Sequence, residues 1–264
     1  MKNLFLYSLL LLSSLFLISC GDDDDNGADA VGTLEIFFEP VYGDSGDLIN
    51  RTSNFDYPDG HEIRIVVSEL FLGDLKVGTG SEEFILSDIE YIDLSDPVLD
   101  QSSGLTDKFI AFDNVPAGAY NFLEFGIGVP PALNAMNPSD FGSTNPLSQS
   151  SLYWDAWDSY IFSKLEGRMD LAGDGSFSHL FAYHSGGDEV YRILQAQNFP
   201  VEIRSGETTR IKLTIDHNKL LVRGADDYMD IENKPAAHST GHLDIMNYLA
   251  DNYGSAFTLQ LLTD

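Results

Sequence analysis

The chain has 264 residues, 42 acidic and 14 basic side chains, a formal net charge of −28 and a single cysteine. Such an acidic chain is a poor nucleic-acid binder, because phosphate contacts need Lys and Arg, and it is repelled by anionic lipid head groups. One cysteine excludes a disulfide framework, whereas the hydrophobic fraction of 43% suffices for a sizeable core.

Residues 1–19 have the features of a signal peptide. Lys2 gives a positive start, residues 4–18 are almost entirely apolar, and residues 17–20 read Leu-Ile-Ser-Cys, which resembles a lipobox. A short apolar run with this ending predicts a processed signal and not a membrane span. We therefore expect Cys20 to carry a lipid that anchors the protein in the outer membrane, on its periplasmic side or at the cell surface.

Residues 20–32 form the predicted tether, in which four consecutive aspartates, Asp22 to Asp25, follow Cys20 and Gly21. A block of like charges repels itself and stays solvated. The block is either a simple spacer or an address, since acidic residues after a lipidated cysteine resemble the surface-export signal of Bacteroidetes lipoproteins. No later break in composition occurs, so residues 33–264 are expected to form one β-sandwich domain.

Short alternating segments separated by Gly, Pro, Asn and Asp predict an all-β fold, an immunoglobulin-like antiparallel β-sandwich. Residues 190–203 and 208–215 are expected to pair with each other around a Ser-Gly-Glu turn. The other expected strands comprise residues 33–38, 62–72, 83–86, 91–94, 160–165, 176–183 and 257–261, and one that begins at Tyr120.

One short helix is expected near the C-terminus, at residues 241–252, where Leu243, Met246 and Leu249 form an apolar stripe. Residues 130–151 are rich in Pro, Asn and Ser and are long for a structureless connection. Their length indicates a functional role or local disorder.

Both tryptophans, Trp154 and Trp157, precede a strand that ends in Lys164-Leu165-Glu166-Gly167. Alternation over residues 160–165 indicates a strand with two distinct faces. On physical grounds alone, a tryptophan-rich loop that plugs a sandwich core is the better interpretation, since two indoles bury a large area.

This stretch also resembles the MbnP-like copper-binding proteins, secreted β-proteins paired with MbnH, a dihaem enzyme related to cytochrome c peroxidase. The resemblance lies in the tryptophan motif, the Lys-x-Glu-Gly strand end and the segment Tyr183-His184-Ser185-Gly186. It implies that the partner oxidises Trp154 to kynurenine, which then helps to bind Cu(I). Trp157 is one position away from the family's second tryptophan and Ser159 replaces a glycine. If Trp157 is the true counterpart, the modification moves to it.

Three histidines are candidate ligands. His184 ends a predicted strand beside two glycines; the residues alone favour a hydrogen-bonding loop histidine, whereas the resemblance implies a copper ligand. His238, His242 and Met246 are spaced to share one helix face, and imidazole and thioether suit Cu(I). Gly241 interrupts that helix, so His238 is expected outside it and Met246 in the core.

The sequence contains no glycine-rich phosphate loop, metalloprotease motif or nucleophile elbow, and nothing in it indicates an enzyme. We expect an exported lipoprotein that binds one copper ion in copper acquisition or homeostasis. The alternatives are a surface binding or adhesion lipoprotein and a family member whose metal site has decayed. The last is favoured by Glu39-Pro40, which stand where relatives often have a histidine; His61 is a possible substitute or a solvated turn residue.

Overall fold

The structure is a computed structural model that describes residues 30–262, in which strands dominate. The predicted signal peptide, Cys20 and the acidic run lie outside the described residues. No helix within residues 30–262 has the length and apolar character needed to span a membrane.

The strands are β1 (Val31–Tyr42), β2 (Asp47–Leu48), β3 (Phe55–Asp56), β4 (Glu62–Gly78), β5 (Glu83–Asp93), β6 (Leu99–Asp100), β7 (Leu105–Thr106), β8 (Phe109–Pro116), β9 (Gly118–Ile127), β10 (Tyr153–Trp154), β11 (Ser159–Tyr160), β12 (Ser163–Met169), β13 (His179–Ser185), β14 (Arg192–Ile203), β15 (Thr208–Asp216), β16 (Val222–Gly224), β17 (Asp227–Tyr228), β18 (Ala236–Ala237) and β19 (Phe257–Leu262). The α-helices are α1 (Pro131–Asn134), α2 (His217–Leu221) and α3 (Leu243–Ala256), and short 3-10 turns occur at Pro138–Asp140, Pro146–Ser148, Ser150–Leu152, Asp188–Val190 and Thr240–His242.

Two sheets carry the fold. The first has the strand order β19-β15-β1-β2, with β8 also paired to β1, and the second has the order β14-β9-β4-β12-β13-β18, with β3 and β5 also paired to β4. Most pairs are antiparallel, as predicted, but β1 runs parallel to β15 and β13 runs parallel to β18. The long strand β4 organises the second sheet, because β12 pairs with its first half and β9 with its second half.

Two apolar clusters form the core. One lies between the sheets, where alternate side chains of β1 such as Leu34 and Ile36 meet Val77 and Ile211. The other lies beneath β12 and β13, where Phe181 and other inward side chains pack against α3. This second cluster supports the surface on which the candidate site is built.

Helix α3 begins two residues later and ends four residues later than the predicted range of 241–252. Its stripe faces the second cluster, and Met246 is completely buried. The helix extends to Ala256 because Tyr253 and Ala256 are also buried. Met246 is therefore a core residue, as expected, and His238 lies outside the helix.

The predicted division of residues 83–94 into two strands and the predicted pairing of β14 with β15 were wrong. Residues 83–93 form one strand and not two, because Ile89 is buried in one core cluster and Ile92 in the other, which keeps the predicted acidic turn within the strand. A β-bulge in the pairing with β4 absorbs the irregularity near Ser87. Strands β14 and β15 do not pair with each other. They belong to different sheets, since the turn at Gly206 hydrogen-bonds to Val31 and carries the chain across the sandwich.

His217 is a fully buried polar residue at the start of α2. Its Nδ1 lies 3.2 Å from the carbonyl oxygens of Val41 and Ile215, which can only accept, so Nδ1–H donates. Its Nε2 then accepts from the hydroxyl of Ser68 at 2.8 Å. Burial lowers the pKa of His217 to about 4, so the ring is neutral in the folded protein near pH 7.

We predict that His217 makes the protein less stable in mild acid. The unfolded state takes up this proton below pH 6.5 and the folded state only near pH 4. The stabilisation is therefore complete above pH 6.5 and is lost as the pH falls to about 4, by roughly 3 kcal/mol. Urea unfolding between pH 4 and pH 7.5 should show a steeper dependence for the natural protein than for His217→Gln. Equal slopes would contradict the assignment.

A second prediction concerns Gly167, at the β-bulge where β12 pairs with β4. A Cβ atom there would collide with the carbonyl oxygen of Arg64 and the ring of Phe181. Gly167→Ala should lower the free energy of unfolding by about 1–3 kcal/mol, measured by urea denaturation. The control is Gly118→Ala, because the added methyl group meets no atom within 4 Å. A Gly167→Ala protein as stable as the control would show that the strands relax without cost.

Candidate metal centre

The two tryptophans lie on a small hairpin. Strand β10 pairs with β11, and the amide of Trp157 donates to the carbonyl of Trp154 at 2.9 Å. Asp158 closes the turn at φ 53° and accepts a 2.7 Å hydrogen bond from the hydroxyl of Tyr153. The turn brings the indoles together, with ring centroids 4.8 Å apart. Both indoles remain partly exposed, so they do not plug the core.

The core position is taken by the residues that follow. Tyr160, Ile161 and Phe162 are all buried, so the alternation predicted for residues 160–165 begins only at Ser163. Consecutive burial is possible here because the chain crosses from the hairpin onto the sheet and is covered on both sides. The ring of Tyr160 contacts Phe71 on one side and Phe141 on another.

The loop of residues 130–151 is the support of this hairpin and consists mainly of helical turns. Asn134 is buried; its Oδ1 accepts from the amide of Tyr160 at 2.9 Å and from the hydroxyl of Ser159 at 3.1 Å. The hydroxyl of Tyr160 donates to the carbonyl of Leu147 at 3.0 Å. The loop thus fixes the hairpin's position over the sheet.

His184 lies on the outer face of β13, directly opposite Lys164 of β12. Its ring centroid is 5.8 Å from that of Trp154, and its Nε2 is 2.7 Å from Oε1 of Glu166. Gly186 follows two residues later. A Cβ atom there would lie 2.5 Å from the carbonyl oxygen of Tyr160 and 3.4 Å from Cζ3 of Trp157, so only glycine permits this approach.

His238 reaches the site through the parallel pairing of β18 with β13. Tyr183 is in register with Ala237, so the next residue on each strand brings His238 beside His184, with ring centroids 4.8 Å apart. Partial desolvation and repulsion by His184 and His242 lower the pKa of His238, which favours its neutral, metal-binding form.

His242 does not join these rings. Its Nδ1 lies 3.4 Å from the backbone nitrogen of His238 and 3.2 Å from the hydroxyl of Ser239, so it stabilises the turn before α3. His238, His242 and Met246 do not share one helix face, because α3 begins at Leu243.

His61 lies in the turn before β4, where its amide donates to Asp59 at 3.0 Å.

An open cleft of about 430 Å³ adjoins the site, lined by Trp154, Trp157, His238 and the residues beside them. The encoded donors are few. Within residues 30–262, no three or more His, Cys, Asp or Glu side chains are grouped closely enough to hold a metal ion. The rings of His184 and His238 supply two nitrogen donors, while an unmodified indole has no free lone pair.

Glu166 is the site residue that sequence reasoning missed. It belongs to the Lys-x-Glu-Gly segment, which lies inside β12 because the strand continues to Met169, and it shares the outer face of β12 with Lys164, two residues earlier. The two-residue spacing of a strand could have placed Glu166 on the same face as Lys164. The strand register needed to pair Glu166 with His184 was not visible in the sequence.

Comparisons with known proteins agree with this architecture. The model of the MbnP family matches residues 31–241. MbnP from Methylosinus trichosporium has a similar fold, with a TM-score of 0.50 and 15% sequence identity over 88% of this chain and 99% of that chain. No curated protein is significantly similar in sequence. Because the family model covers most of the chain, the protein belongs to the MbnP family, which is associated with copper.

Proposed function

We propose that the protein is an exported lipoprotein that binds one copper ion, as Cu(I), in copper acquisition or homeostasis. The observation that carries the proposal is the row formed by the rings of Trp154, His184 and His238, with centroid separations of 5.8 and 4.8 Å. These residues come from three separate segments of the chain. The protein acts in this proposal as a binding protein and not as an enzyme.

The donor set favours Cu(I) over other metals. Two neutral imidazoles make an incomplete site for Zn²⁺, which takes four ligands in structural sites. Cu(I) is softer and accepts fewer ligands, and imidazole suits copper. The scarcity of encoded donors in residues 30–262 is therefore consistent with a copper site that is completed by a modification.

The modification that we propose is oxidation of Trp154 to kynurenine by a dihaem partner of the MbnH type. Two molecules of hydrogen peroxide would cleave the C2–C3 bond of the indole, giving N-formylkynurenine and two molecules of water. Hydrolysis then releases formate and leaves an aryl amine and a ketone, which offer N and O donors. Trp154 is favoured over Trp157 because Trp154 has the ring contact with His184.

A surface-binding function is the second candidate. The indoles of Trp154 and Trp157 are partly exposed beside a cleft of about 430 Å³ that also contains Asp155, Ser239 and Thr240. Aromatic faces with hydroxyl and carboxylate groups nearby suit a glycan or another planar, polar ligand. The third candidate is a structural member of the family whose copper site has decayed, which would bind no copper.

The copper site predicts a specific pattern of affinities. His184→Ala and His238→Ala should each weaken Cu(I) binding by at least about 100-fold, because loss of a ligand exceeds the effect typical of an outer-shell residue. His61→Ala is the matched control and should bind like the natural protein. Competition with a chromophoric Cu(I) chelator measures all three. Equal affinities for all variants would rule out this site.

The maturation step predicts a mass change at one tryptophan. After co-expression with the dihaem partner, the peptide that contains Trp154 should gain about 4 Da, since kynurenine has one oxygen more and one carbon fewer. Trp157→Phe should retain the gain and Trp154→Phe should lose it, as read by peptide mass spectrometry. A mass gain confined to Trp157 would show that Trp157 is the modified residue. If both tryptophans stay unmodified and the protein retains no copper, only a structural role remains for them.

The anchoring proposal concerns Cys20, which lies outside the described residues. Cys20→Ala should abolish fatty-acid labelling and release the protein from the membrane fraction, because a chain with a net charge of −28 is repelled by anionic lipids and the proposed lipid supplies the attachment. Unchanged labelling would contradict the assignment. Protease treatment of whole cells then distinguishes surface exposure from the periplasmic side.

A further inference from the structure

The outer face of β12 presents two charged side chains beside His184, and only one of them touches it. Lys164 is opposite His184 in the register, but its Nζ lies 3.0 Å from Oε2 of Glu69 on β4, the neighbour on the other side. Glu166 is the diagonal neighbour of His184, within the reach expected for long side chains across a strand pair. Because Glu69 pairs with Lys164, Glu166 is left to pair with His184.

The hydrogen bond between Glu166 and His184 determines which ring nitrogen is available. A carboxylate oxygen can only accept, so Nε2–H of His184 donates to Oε1 at 2.7 Å. In the neutral ring the lone pair then lies on Nδ1. Across residues 30–262, no hydrogen bond reaches that nitrogen of His184, whose side chain is only 17% exposed. The lone pair of Nδ1 is therefore available to a metal ion, in a ring whose centroid lies 5.8 Å from that of Trp154 and 4.8 Å from that of His238.

We propose that Glu166 is a positioning residue of this site: it holds the ring of His184 with Nε2 protonated, so that Nδ1 is the ligand atom. The role of Nδ1 as a ligand rests on the proposed copper function, whereas the orientation of the ring and the proton on Nε2 are properties of the protein without metal. Outer-shell carboxylates of this kind orient the imidazole and typically change metal affinity by about 10–100-fold.

The first test uses the metal-free protein. In nitrogen-15 NMR spectra of histidine-labelled protein, His184 should show an Nε2–H proton protected from exchange with water. Glu166→Gln keeps an oxygen acceptor and should retain the protected proton, whereas Glu166→Leu should lose it. The control is Glu62→Leu, the same substitution at an exposed position at the start of β4, which should leave the Nε2–H signal of His184 unchanged. A protected Nε2–H in Glu166→Leu would overturn the proposal.

The second test adds Cu(I), which is diamagnetic and compatible with the same spectra. The large shift on binding should appear at Nδ1 of His184 and not at Nε2. Glu166→Leu should bind Cu(I) about 10–100-fold more weakly, with most of the affinity restored in Glu166→Gln. A shift at Nε2, or Glu166→Leu binding like Glu62→Leu, would overturn the ligand assignment. If the natural protein binds no Cu(I), the copper proposal fails, and the metal-free spectra alone decide the role of Glu166.

Discussion

The parallel pairing of β18 with β13 is the contact on which the candidate site depends. Only two residues of each strand are in register, yet they bring a histidine from one segment against a histidine from another. Two further hydrogen bonds hold the segment: the amide of Ala182 donates to Pro235 and the hydroxyl of Tyr183 donates to Lys234, both at 2.8 Å. Without this edge, His184 would face the solvent with only Glu166 and Trp154 beside it.

The second core cluster supports this edge from the inner face of the sheet. Phe181 and Tyr183 point inward from β13, and α3 packs against the same cluster. Because successive side chains of a strand point to opposite faces, burial of Tyr183 forces His184 outward. The hairpin above the site is fixed in the same way, since burial of Tyr160 and its bond to Leu147 leave the indoles outside. Apolar burial thus decides where the polar and aromatic groups of the site are presented.

Much of the fold could be predicted, because burial leaves a regular trace in the sequence. The alternation in β1 and the helical stripe of Met246 and Leu249 identify elements correctly. Pairing partners are harder, since a strand such as β14 carries the same alternation whether it pairs with β15 or with β9. The parallel pair of β1 and β15 connects segments far apart in the chain, and no local pattern records it.

For the site, the sequence identified candidate residues but not the contacts between them. The resemblance pointed to Trp154 and His184, and the spacing of histidines drew attention to His238 and His242 together. Only His238 reaches His184, because the two register pairs of β18 end just before it. The contribution of Glu166 depends on a diagonal contact between strands, and the covered position of Tyr160 depends on the loop around Asn134. Such contacts can be predicted only when the pairing of residues between neighbouring strands and loops is known.

The distance along the chain between His184 and His238 has a consequence for stability. A metal ion shared by the two imidazoles would be a cross-link between segments that are remote in sequence, in a chain whose single cysteine cannot form an internal disulfide. Closing a long loop removes conformational freedom from the unfolded chain and so favours the folded state. The cross-link would also tie the short edge strand β18 to the sheet, where two register pairs now hold it. Bound copper would then act as a reversible cross-link that stabilises the fold, in addition to being the ligand of the protein.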